Sequence, residues 1–70
     1  MDQEDYGQPE FNFNVEEWDP MGLHYETLAD CATLELARVV FAAAIQKKPA
    51  GRFMIRQRVR VVKRHPEGDW

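Results

Sequence analysis

A single helix-patterned segment, Leu34–Lys47, lies between stretches whose apolar residues alternate, and this restricts the chain to an α+β fold. Thr33 offers the N-cap hydroxyl, with Asp30 as the alternative. Lys48 precedes Pro49 and Gly51 follows, so the helix must stop there. Asp30 and Glu35 stand at its positive end, and Lys47 and Lys48 at its negative end, as the helix dipole favours. At about 100° per residue, Glu35, Arg38 and Gln46 share a narrow sector, and the apolar side chains spread over an arc of roughly 200°. A helix facing one core needs a stripe of only about 100°. The shoulder at Leu36, Val39 and Ala43 then either sits partly under the sheet edge or the tail, or is a candidate second contact surface suited to a dimer.

On the N-terminal side, Phe11, Phe13 and Val15 alternate with Asn12, Asn14 and Glu16, which predicts a half-buried strand. Asp19-Pro20-Met21-Gly22 is type I turn chemistry, followed by a second strand over Leu23–Ala29. That strand has Leu23, Tyr25 and Thr27 on one side and His24, Glu26 and Leu28 on the other. On the C-terminal side, Phe53, Ile55, Val59 and Val61 share one face of an alternating run. Arg52, Met54, Arg56, Arg58, Arg60, Val62 and Arg64 share the other. Fourteen extended residues would reach roughly 46 Å, against a radius of gyration of about 11 Å for a domain of this size. A break, bulge or tight hairpin near Gln57–Arg58 is expected; a single unbroken strand is the alternative.

These readings give a small, mostly antiparallel sheet with one helix packed on one face, in the order ββαβ or ββαββ. Residues 1–9 form an acidic lead-in, 10–65 the single domain and 66–70 a tail. The expected core is Phe11, Phe13, Val15, Tyr25, Leu36, Val40, Phe41, Ile45, Phe53, Ile55, Val59 and Val61.

Charge is divided along the chain. Residues 1–35 carry ten acidic and no basic side chains, whereas 36–70 carry nine basic and two acidic. Arg52, Arg56, Arg58, Arg60, Lys63 and Arg64, with Trp18, are the candidate interaction residues. On a continuous strand, Arg56, Arg58 and Arg60 would project at about 6.7 Å intervals, near the spacing of phosphates on a single nucleic-acid strand. The competing reading pairs them with the chain's own acids. Glu16 and Glu26 would lie across from the stripe, with an arginine over the Trp18 ring. An isoelectric point near 5.2 argues against non-specific nucleic-acid binding, whose usual footprint is a value above about 9.

Chemistry-bearing motifs are sparse. Cys31 is the only cysteine, and with His24 and His65 it lacks the paired spacing of a zinc site, so no metal or cofactor is expected. His24 and Glu26 share a strand face, which suits a cross-strand hydrogen bond better than a general base. Cys31 is expected in the loop entering the helix, where no second residue is placed to activate it. No phosphate loop or nucleophile elbow is present, and no catalytic residue is assigned.

Seventy residues without disulfides give a marginal core, which self-association would reinforce. A lone thiol, no apolar leader and no long apolar run point to the cytoplasm and away from membranes. The functional expectation is a non-catalytic protein-interaction module forming a homodimer. The alternative is a nucleic-acid-binding or regulatory protein using the arginine-rich C-terminal segment.

Overall fold

The computed structural model describes residues 12–68. The lead-in 1–9, Phe11 and Trp70 lie outside them. Strand β1 (Phe13–Trp18) leads to β2 (Tyr25–Cys31), helix α1 (Leu34–Lys47), β3 (Arg52–Gln57) and β4 (Arg60–His65). The sheet is antiparallel throughout, ordered β2-β1-β3-β4. The helix connects β2 to β3 and covers one face, and among the described residues no helix covers the other. The fold is α+β in the longer of the two expected orders, ββαββ.

Local chemistry accounts for the breaks. The β1–β2 turn closes with the Gly22 amide donating to the Asp19 carbonyl at 3.0 Å, and Gly22 takes a φ of +75° that L-residues avoid. The Asp19 carboxylate accepts the Leu23 amide at 2.9 Å, and the Asp19 amide donates to the His24 carbonyl. These bonds hold Leu23 and His24 in the loop, so β2 starts at Tyr25 rather than Leu23. Thr33 is the N-cap of α1, its hydroxyl accepting the Leu36 amide at 3.1 Å. At the other end the Lys48 amide donates to the Ala44 and Ile45 carbonyls, and the Gly51 amide donates to that of Lys48.

The expected hairpin forms at Arg58 and Val59, with Arg58 at a φ of +58°. Gln57 pairs with Arg60 across it. The two-residue turn exchanges odd for even positions. Both outer strands also carry a bulge: Leu28 is the extra residue on β2 and Val62 on β4.

The core lies between helix and sheet. Val15, Phe53 and Ile55 from the two central strands pack with Cys31, Ala37 and Phe41, all buried. Phe13, Ala29, Leu34, Val40, Ala44, Ile45 and Val62 pack around them, partly buried. Four expected core residues are elsewhere. Tyr25 is 48% exposed, because its partner Trp18 lies on the open face. Leu36 points away from the sheet, at 55% exposure. Val59 occupies the β3–β4 turn at 90% exposure, and Val61 faces out beside Arg56 because the turn exchanged the faces. The bulge at Val62 reverses the exchange, so Val62 packs on the core instead of lining the arginine side.

Candidate interaction surfaces

Two surfaces collect the candidate residues. The first is the open face of the sheet, where the register builds three rows. Tyr25, Trp18 and Arg52 form the row nearest the β1–β2 turn. Thr27, Glu16, Met54 and Arg64 form the next, and Asp30, Asn14, Arg56 and Val61 the third.

Glu16 organises this face. It is only 2% exposed, although no described helix covers it. Its Oε2 accepts from Nη2 and Nε of Arg56 at 2.9 and 3.1 Å, and its Oε1 accepts the Trp18 indole N–H at 3.0 Å. The Arg56 guanidinium lies over the rings of Tyr25 and Trp18, 4.9 and 5.9 Å from their centroids. Trp18 and Tyr25 stack on one another, with centroids 4.7 Å apart. Partial burial pulls the Arg56 pKa down, but hydrogen bonding and charge from Glu16, with a smaller contribution from Tyr25, together outweigh it and hold the group more firmly protonated than usual. Asn14 donates to the Asp30 carboxylate beside this cluster.

The structure brings Trp18, Arg52, Arg56 and Arg64 onto this one face. It separates the other expected contacts. Arg58 is in the turn, Arg60 and Lys63 follow it on the outer strand opposite Gln57 and Ile55, and the regular ladder of Arg56, Arg58 and Arg60 does not exist. Glu26 stands opposite Glu17, on the other face from Glu16, so it does not meet the arginines. Lys48 supplies the counter-charge there, its Nζ 2.5 Å from a Glu17 oxygen. Arg64 donates from Nη1 to the Gly68 carbonyl at 2.7 Å. The aromatic member that sequence reasoning missed is Tyr25. Its signal was the pairing of a turn-flanking Trp and Tyr at equal distance from the turn's bonded ends.

The second surface is the outer side of α1. Leu36 and Val39, 55% and 65% exposed, and Ala43, also exposed, lie on it away from the sheet. Where the C-terminal end of α1 meets the sheet is an open cleft of about 380 Å³ lined by Glu17, Leu28, Ala44, Lys47, Lys48 and Phe53.

Cys31 ends β2 instead of entering the helix through a loop, and it is buried. Burial, with Asp30 adding a smaller push, raises its pKa and keeps the thiol protonated. His24 and Glu26 are both exposed, and no hydrogen bond joins them. Among the described residues no cluster of three or more His, Cys, Asp and Glu side chains could hold a metal ion. No described helix is long and apolar enough to cross a membrane. No family model, curated protein or solved structure matches the chain.

Proposed function

We propose that the chain is a non-catalytic protein-interaction module that associates with itself. One observation carries this reading: α1 has an apolar stripe, Leu36, Val39 and Ala43, on the side that the sheet does not cover. Two large aliphatic side chains more than half exposed on one short helix cost hydration free energy that burial against a partner recovers. The small core points the same way, since a domain of this length gains stability from added buried area. The reading places the protein in the cytoplasm, where a lone buried thiol stays reduced, and needs no cofactor. Sedimentation velocity from low to high micromolar concentration tests it. A mass that rises toward twice the chain's 8.2 kDa supports self-association, and a strict monomer throughout refutes it.

A second reading, single-stranded nucleic-acid binding, is favoured by the open face. Trp18 and Tyr25 with arginines around them are the ingredients of a stacking platform. Residues 12–68 also carry nine basic against seven acidic side chains, although the whole chain is acidic. Affinity for a short oligonucleotide should then fall steeply with salt and drop on Tyr25→Ala or Arg64→Glu. Absence of binding at low salt ends it.

A further inference from the structure

We infer that the second copy is held helix to helix: the outer stripe of α1 meets the same stripe of its partner in an antiparallel, two-fold pair. This geometry rests on the self-association proposed above and names the surface and orientation that would produce it.

The stripe has the spacing of a helix–helix seam. Leu36, Val39 and Ala43 follow one another at intervals of three and four. At about 100° per residue they occupy a sector of about 60°, centred roughly 150° from the buried Ala37 and Phe41. A helix packed on one sheet has no internal use for apolar residues so far round. Large Leu36 and Val39 with small Ala43 also lets two such stripes interdigitate at the usual 8–10 Å between axes.

Charge decides the orientation. Glu35 opens the helix and Lys47 closes it, about 18 Å apart along the axis. Both are exposed, and neither forms an ion pair among the described residues. A parallel pair would set Glu35 beside Glu35 and Lys47 beside Lys47, with the dipoles aligned. An antiparallel pair centred on Phe41 puts Glu35 of each copy level with Lys47 of the other. The same register sets Val39 level with Ala43, and the dipoles oppose. The contact is isologous and stops at two copies. Its length of about 20 Å places it among weak, transient interfaces.

The other surfaces suit a second copy less. The outer strands β2 and β4 each carry a bulge, which interrupts edge pairing. Like edges would also repel, Glu26 and Asp30 on β2 against themselves, and Arg60 and Lys63 on β4. On the open sheet face, the Glu16–Arg56 pair and buried Met54 are already satisfied within one chain.

Sedimentation equilibrium on the full chain tests the inference, with circular dichroism confirming that each variant is folded. Val39→Glu should weaken dimerisation at least tenfold. Glu35→Lys and Lys47→Glu should each weaken it alone, and an equimolar mixture of the two should dimerise again, because each mixed contact regains opposite charges. Dimerisation of the wild type that Val39→Glu leaves intact overturns this surface and leaves self-association standing. Loss with Val39→Glu but no recovery in the mixture overturns the antiparallel register. A wild type that stays monomeric at high micromolar concentration removes both.

Discussion

Glu16 and Arg56, forty positions apart in the chain, form a two-point ion pair on the uncovered face of the sheet, with Oε2 2.9 Å from Nη2 and 3.1 Å from Nε. The second carboxylate oxygen takes the Trp18 indole, so both oxygens of an almost fully buried carboxylate are satisfied. The pair fixes the Trp18–Tyr25 stack by holding one ring through its N–H and covering the other with a cation.

Glu16→Ala should therefore be severe. It strands the Arg56 charge, about a quarter exposed, and removes the Glu16 hydrogen bond to the Trp18 indole. Breaking one partner of a buried pair costs about 3–5 kcal/mol, and the partial exposure of Arg56 puts this case at the lower end, about 3 kcal/mol. Chemical denaturation measures it. The double variant Glu16→Leu/Arg56→Met should recover most of the loss, since no charge is then left alone.

Arg58→Gly should stabilise the protein. The backbone at Arg58 has a φ of +58°, which costs an L-residue about 1–2 kcal/mol that glycine avoids. A gain of about 1 kcal/mol raises the melting temperature by about 4–8 °C in a domain this small. An unchanged or lower melting temperature contradicts it.

Asp19 should give the fold an acid-sensitive element. Chiefly the Leu23 amide, with Gly22 and His24 helping, holds its carboxyl below the ordinary value of 3.8, against a smaller desolvation effect. A carboxylate whose pKa is lower folded than unfolded contributes stability that is fully present above the unfolded value. That contribution is lost as pH falls through the folded one. The melting temperature of wild type should fall below about pH 4 more steeply than that of Asp19→Asn, which carries no titrating group there.

Cys31 should resist alkylation in the native state. It is buried beneath α1 with a raised pKa, so little thiolate is available at neutral pH. Iodoacetamide labelling followed by mass spectrometry should be slow natively and rapid in denaturant. Fast native labelling would show that the β2–α1 junction opens readily.

Gly51→Ala should loosen the helix–sheet junction. An added methyl would stand 2.9 Å from two ring atoms of Phe53 and 3.2 Å from the Lys48 carbonyl. Because Phe53 is buried, its ring cannot swing away freely, and overpacking of this kind costs about 1–3 kcal/mol. Thermal melting checks it, and an unchanged transition would show that the ring has room.

Local chemistry was legible from residue order. Asp19 and Gly22 built the turn they were expected to build, Thr33 capped the helix, and Pro49 and Gly51 ended it. Strand length alone favoured a break near Gln57–Arg58 over one unbroken strand, and the hairpin forms at Arg58 and Val59. What depended on partners was not legible. Side-chain direction in a strand alternates with period two, so each unsignalled turn or bulge reverses every position after it. The β3–β4 turn put Val61 outside, and Val62 then restored the alternation in time for Arg64 to join Arg56. On β2, nothing in Leu23–Ala29 says which side meets the helix; pairing with β1 gave that side to Ala29 and Cys31 and left Tyr25 with Trp18.

The same division holds for the candidate surfaces. By itself the sequence determined that α1 has more apolar arc than one core can use, because helical spacing follows from residue number alone. It also determined that acids and arginines come from opposite halves of the chain. Only the tertiary structure decided that β1 lies between β2 and β3, which brings Glu16 to Arg56. A strand neighbour forty residues away is selected by packing of the whole sheet, and no local pattern encodes it.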